Sequence, residues 1–332
     1  MASTQELTRR IKSVKSTRKV TRAMQMVSAA KMRKSQAATL ASRSYAELAW
    51  GMLRSLSLDA QNVAGASSES AATSLLTANP KATRVAVVVI STNRGLVGGF
   101  NANLFIKLRA LEQEVGAGNI DYIVMGKKAA EVTARTKKNL VADFSKPDAL
   151  TNSAVIQPIV GVLTKGFTAG TYKTAYVVYN HFISTLTSET RIQQLLPLVS
   201  PPQEARSDSG ARREGLGEVI VDSRDEKKSP MTPTNSPSRG GGQMPIEYEF
   251  EPTPELVLEH LLPRILESQM YQAVLESDAA EHSSRMIMMK NATESAGDII
   301  SDLTLTFNQL RQNKITTELS EITAGKIALE EQ

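Results

Sequence analysis

Residues 275–310 read LESDAAEHSSRMIMMKNATESAGDIISDLTLTFNQL. Within them Leu275, Ala279, His282, Met286, Met289, Thr293, Ala296, Ile300, Leu303, Phe307 and Leu310 step by four and three without a break. That spacing is the seam of a coiled coil, one side of a helix kept apolar or small so that it stays against a partner over many turns. The seam belongs to a longer helical run. Thr253-Pro254 supplies an N-cap and a proline at the first helical position, and helix can continue to about Ala328, roughly 75 residues and about 110 Å. Pro263 should kink its beginning.

A helix of that length needs a partner, and the other end of the chain offers one. From about Ser3 to Leu58 there is no proline and the only glycine is Gly51, so a single helix of roughly 80 Å is expected. Its apolar or small positions from Val20 onward, Val20, Met24, Val27, then Ala38, Ala41, Tyr45, Leu48 and Met52, again step by four and three, with Lys31 and Lys34 at two seam positions. Leu7, Ile11 and Val14 have the same spacing but lie about half a turn around, so the first turns are expected to pack against something else. Antiparallel pairing of the two terminal helices is the simplest arrangement. Pairing of each with its copy in a homodimer remains open on pattern alone.

Between them lies an α/β region. Strand-like runs at Arg84–Ser91, Asp121–Gly126, Leu140–Phe144 and Lys173–Thr185 alternate with helical segments at Asn101–Val115, Lys127–Thr136 and Thr151–Phe167, which predicts parallel strands covered by helices. Thr190–Leu198 is a candidate edge strand. The fold class expected is therefore α/β: a long antiparallel coiled coil of N- and C-terminal helices plus a Rossmann-like domain. Its divisions are a first helix over 1–58, a linker over 59–83 ending in Asn79-Pro80, the α/β domain over 84–200, and the last helix over 253–332. Residues 201–245, dense in Pro, Ser, Gly and charge, read as a flexible insertion. A last strand of the domain is expected at 246–252.

Composition removes several function classes. The chain of 332 residues has no cysteine, which excludes disulfides, thiolate metal sites and thiol nucleophiles. No apolar stretch reaches the roughly 20 residues a membrane-spanning helix needs, and the N-terminus carries no apolar signal core, so a cytoplasmic location is expected. The net charge is +5, but residues 1–50 hold eleven Lys/Arg against Glu6 and Glu47, a charge of +9 that leaves −4 for the rest. A cationic arm on an acidic body implies an acidic protein surface or a polyanion as partner. Nucleic acid is the less favoured of the two, because no aromatic residue precedes Tyr45 in the basic segment and no reading module lies near it.

The candidates for chemistry are weak. Arg94-Gly95-Leu96-Val97-Gly98-Gly99-Phe100-Asn101 follows a strand and opens a helix, where phosphate-cradling loops sit, yet it matches neither dinucleotide nor P-loop spacing and reads as a tight turn. Gly126-Lys127-Lys128 lacks the leading glycine. His181, His260 and His282 are scattered without the i, i+4 partner of a metal site, and no nucleophile elbow is present. No catalytic residue, metal site or cofactor is expected.

The stretch from Ile11 to Lys34, IKSVKSTRKVTRAMQMVSAAKMRK, closely resembles the N-terminal helix of ATP synthase γ subunits. Arg285-Met286, Lys290-Asn291-Ala292-Thr293-Glu294, Asn308-Gln309-Leu310-Arg311-Gln312 and Ile315-Thr316-Thr317-Glu318-Leu319-Ser320-Glu321-Ile322 are similar to that family's C-terminal helix, and the 94–101 turn is similar to its turn. The resemblance implies a non-catalytic rotor shaft, its terminal helices paired inside a ring of α and β subunits, which excludes the homodimer. It further implies that Arg18, Lys19, Arg22, Lys31, Arg33 and Lys34 face acidic loops of β, with Met24 at the same bearing. Arg311, Gln312, Thr316 and Glu318 would contact β loops higher up. Tyr248, Phe250 and Glu251 would dock on the membrane c-ring, with the ε subunit a further partner and the cytoplasmic face of a bacterial plasma membrane the location. Chloroplast and cyanobacterial members carry an insertion in a similar place. Here it lacks the thiol pair of the chloroplast form, and either a modulating contact or an inert loop fits residues 201–245.

Overall fold

The computed structural model describes residues 4–62, 75–77, 79, 82–147, 153–198 and 254–330. The expected insertion at 201–245, the strand at 246–252 and the c-ring residues Tyr248, Phe250 and Glu251 lie outside the described residues, as does most of the 59–83 linker.

Two long helices dominate. α1 spans Thr4–Asn62 and α5 spans Pro254–Glu330, which at 1.5 Å per residue are about 90 Å and about 115 Å long. α5 runs on through Pro263 as one helix. The central domain contributes β1 (Arg84–Ile90), α2 (Phe100–Val115), β2 (Ile120–Met125), α3 (Lys127–Arg135), β3 (Leu140–Phe144), α4 (Gln157–Thr168), β4 (Tyr172–Phe182) and β5 (Ser188–Leu196). Strand order is β3-β2-β1-β4-β5. The first four strands are parallel and β5 returns antiparallel on β4, so the edge strand expected from sequence is present.

The apolar runs explain the layering. In β1 the side chains alternate between faces, and both faces are buried. Val85, Val87 and Val89 pack with Leu104, Leu108 and Leu111 of α2 and Ala129 of α3. Ala86, Val88 and Ile90 pack with Ile159, Leu163 and Phe167 of α4 and, in the same core, with Leu262, Ile265, Leu266, Met270 and Val274 of α5. The lower half of α5 is thus a core helix of the domain. Its upper half leaves the domain and pairs with α1.

The α5 seam is as expected. From Lys290 to Leu310 the seam positions Thr293, Ala296, Ile300, Leu303, Phe307 and Leu310 are buried or half-buried, while most of the residues between them are exposed. The α1 seam is so only in part. Met24 and Ala38 are half-buried, but Val20 and Val27 are each 55% exposed, and the continuous covered stripe runs through Leu7, Ile11, Val14, Thr21, Gln25, Ser28, Met32, Ser35, Thr39 and Ser42. The first turns therefore share one seam with the rest of the helix, contrary to the sequence expectation. The reason is steric. Opposite this stretch α5 presents Thr293, Ala296 and Gly297, small residues that admit close approach, and α1 meets them with Thr21 and Arg18 rather than with Val20. Thr21 Oγ1 lies 2.8 Å from Thr293 Oγ1 across the interface, and the Arg18 guanidinium stacks beside Gly297. Pairing of 21 with 293 and 18 with 297 fixes an antiparallel register.

Candidate functional site

In an open α/β sheet, ligands bind at the carboxyl edge where strand order reverses, here between β1 and β4. That crevice is filled from within. Val97 and Phe100, in the turn after β1, form an apolar cluster with Ala280 of α5, against which Phe182 packs. Ser284 Oγ donates to the Val97 carbonyl at 2.6 Å, and a Cβ on Gly98, where φ is +58°, would lie 3.1 Å from Met288 Sδ. Gly98 thus serves the packing of this turn on α5. Gly126 is explained the same way: its φ is +105° and a Cβ there would sit 2.6 Å from the Ser91 carbonyl oxygen. Only glycine tolerates both constraints.

A second group of contacts along the same edge is ionic. Lys146, in the loop after β3, is 4% exposed and reaches Asp278 Oδ1 at 2.8 Å and Glu281 Oε2 at 2.7 Å on α5. Glu281 also accepts from Arg285 at 2.8 Å, and His282 lies beside that guanidinium. On β4, His181 Nδ1 is 2.7 Å from Glu276 Oε2. Burial pulls the Lys146 ammonium down, but the two carboxylates more than reverse this and hold it above the ordinary lysine value. Burial works against the charge of Glu281 too, yet Lys146 and Arg285 hold its carboxyl down at about 2. Asp278, without a second guanidinium, is pushed up by burial despite Lys146. Burial, reinforced by Lys146, Arg285 and Lys31, lowers His282 to about 4, so it is neutral at pH 7. This cluster supplies no free acid or base. Sequence reading missed it because Lys146 stands alone in a loop, and Asp278 and Glu281 sit in a stretch of α5 rich in polar residues, where two more acids carry no signal of burial.

The outward surfaces are where the remaining candidates lie. The helical step of about 100° sorts the N-terminal residues around α1. Arg18, Arg22 and Arg33 fall on one flank of the seam and are exposed, Met24 and Lys31 fall on the other and are half-buried, and Lys19 and Lys34 point outward. They do not share one bearing. Lys31 is turned toward the α5 acids, where its charge acts on Asp278 and His282. Arg311, Gln312, Thr316 and Glu318 are exposed; the Thr316 hydroxyl bonds back to the Gln312 carbonyl at 3.0 Å and Glu318 lies 3.6 Å from Lys314. The α1 N-terminus, at Thr4, Gln5 and Thr8, sits against Phe307, Arg311 and Ile315. Every described residue from Arg311 to Ala324 is exposed. The described side chains of this last part of α5 are therefore solvent-facing around the helix, with the α1 N-terminus against its beginning.

Comparison with known proteins agrees with this architecture. The profile of the family described as ATP synthase matches residues 3–329. The ATP synthase gamma chain of Roseiflexus castenholzii is 35% identical over 336 residues, covering 100% of both chains. That of Chloroflexus aurantiacus is 36% identical over 334 residues, covering 99% of each. The chain belongs to the ATP synthase γ family. Among solved structures, a chain of the Euglena gracilis mitochondrial ATP synthase OSCP/F1/c-ring matches with a TM-score of 0.58 at 17% identity, over 98% of this chain and 94% of that one. One from the central stalk and c-ring of the Tetrahymena thermophila mitochondrial enzyme matches with a TM-score of 0.55 at 19% identity, over 82% of this chain and 99% of that one. At such identities the likeness speaks to the fold. A non-catalytic stalk subunit accords with a sheet edge closed by its own helix.

Proposed function

We infer that this chain is the central rotor shaft of an F-type ATP synthase, coupling proton-driven rotation of the c-ring to conformational cycling of the catalytic β subunits. The observation that carries this is the paired shaft, exposed from Arg311 to Ala324, that rises from a domain whose ligand crevice is occupied by α5. Such an object can act on partners only by position. Asymmetry in the shaft biases each β site in turn between states of different nucleotide affinity, so that rotation and ATP chemistry are linked free energies.

The surface supports a bearing role. Val20 and Val27 face outward on α1 between Lys19 and Lys34, an apolar strip flanked by cations, which suits the inner wall of an α/β ring with acidic β loops. Each exposed ionic contact is weak, so no single orientation is held too firmly to leave. Arg18, Arg22 and Arg33 would engage these loops from one flank and Met24 from the other. Arg311, Gln312, Thr316 and Glu318 on this exposed part of α5 would meet the β loops higher up. The foot, with Tyr248, Phe250 and Glu251, would engage the c-ring, and the ε subunit would bind nearby. The complex would sit on the cytoplasmic face of a bacterial plasma membrane with this chain peripheral to it; among the described residues no helix is long and apolar enough to cross a membrane. Family membership displaces the reading as a nucleic-acid scaffold.

Arg311→Ala tests the upper contact. In the assembled enzyme it should lower ATP-driven proton pumping while nucleotide binding persists, and unchanged pumping would remove Arg311 from the coupling surface.

A further inference from the structure

The contacts between the α/β domain and the shaft are spread along the carboxyl edge of the sheet. On β4 the anchor is His181 with Glu276, in the β4–β5 hairpin the Thr185 carbonyl with the Ser283 hydroxyl, and in the turn after β1 the Val97 carbonyl with the Ser284 hydroxyl. The anchor from the β3 side is Lys146. At a helical step of about 100°, Asp278 and Glu281 lie on the flank of α5 opposite Glu276 and Ser283, with Ser284 between them. Contacts on opposed flanks of a helix resist its rolling better than contacts on one flank. The Lys146 loop is itself braced, because Asn93 in the turn after β1 donates to the Lys146 carbonyl at 2.7 Å and accepts from the Lys127 backbone at 3.3 Å. On the shaft side the charge of Lys31 of α1 acts on Asp278.

We propose that Lys146 is a positioning residue for torque transfer: its buried bridges to Asp278 and Glu281 lock the α/β domain to the shaft against twisting. The proposal rests on the rotor reading. Torque entering at the domain would otherwise pass chiefly through the apolar contacts of Leu262 to Leu275 with the sheet, which are non-directional and can shift. With the Lys146 bridges in place the domain and the shaft turn as one body, and little of the rotation is lost between the c-ring and the β subunits.

The test uses the assembled enzyme in vesicles, reading ATP hydrolysis and ATP-driven proton pumping together. Lys146→Met combined with Asp278→Asn removes the cross-domain bridge without stranding a charge, since Glu281 keeps Arg285. This variant should hydrolyse ATP at the parental rate with a clear loss of protons pumped per ATP, while Lys146→Arg should keep the parental ratio. A purely structural role would lower assembly and hydrolysis and leave that ratio alone. Full pumping by the double variant would overturn the proposal. Should the double variant not assemble, Asp278→Asn alone, which leaves Lys146 its bridge to Glu281, should show a smaller loss of the same ratio; an unchanged ratio would equally overturn it. Parental enzyme that neither assembles nor pumps would instead contradict the rotor reading.

Discussion

His282 occupies the α5 seam beside Arg285 and 6% exposed, and its proton affinity makes the joint sensitive to acid. Its value falls from 6.5 to about 4 on folding because burial and nearby cations oppose a second charge. Between those values the unfolded chain binds a proton that the folded chain refuses, so stability falls as pH drops through this window and is fully present above pH 6.5. The expected loss is on the order of 2–3 kcal/mol. Denaturant unfolding of the purified chain from pH 7 to 4 should show it, and His282→Gln should flatten the difference; parallel curves for the two would contradict the assignment. Glycine 126 sets a different limit. Gly126→Ala meets both a left-handed backbone and the Ser91 carbonyl, and should cost about 1–3 kcal/mol, read as a lowered denaturation midpoint. The seam position of His282 was legible beforehand, but its charged neighbours were not. Gly126 stood in a phosphate-loop pattern that failed on spacing, and what it does depends on Ser91, 35 residues away. Lys146, alone between Ser145 and Pro147, gives no periodic signal at all.

Elements were far more legible than residues, because periodicity and breakers are local. The β1 run RVAVVVI, buried on both faces, and the uninterrupted α5 seam could be read directly, and their ends fall within a few residues of those expected. The exception teaches more. α1 carries two stripes of four-and-three spacing, and the more hydrophobic, through Val20 and Val27, suggests the seam. The structure turns that stripe outward and buries Thr21, Ser28, Met32 and Ser35 instead. The choice depends on α5, where Thr293 pairs with Thr21 and Gly297 leaves room for Arg18, so it could not be made from α1 alone. Substitution separates the stripes. In the isolated chain Val20→Ser and Val27→Ser should change stability by no more than about 0.5 kcal/mol, whereas Met32→Ala or Met289→Ala should cost about 2–4 kcal/mol. Thermal or urea unfolding of the four variants checks this, and comparable losses from both stripes would contradict the observed register.

At the scale of the whole molecule the parts have one consistent use. A sheet domain with its ligand crevice plugged by a helix has given up small-molecule chemistry, and that helix continues as the shaft. The long coiled coil is stiff, its register is fixed by the hydrogen bond between Thr21 and Thr293, and toward its far end α5 is exposed from Arg311 to Ala324. The central claim is that this chain turns within a ring of α and β subunits as ATP is consumed. The most direct measurement assembles it with its cognate α and β subunits, holds the ring to a surface, and follows a probe on the exposed side of α2. Because the chain has no cysteine, Arg109→Cys provides a single attachment point. The account predicts one copy of the chain per complex, no hydrolysis by the chain alone, and stepwise unidirectional rotation of the probe when ATP is supplied. A probe that stays fixed while the assembled complex hydrolyses ATP would contradict it.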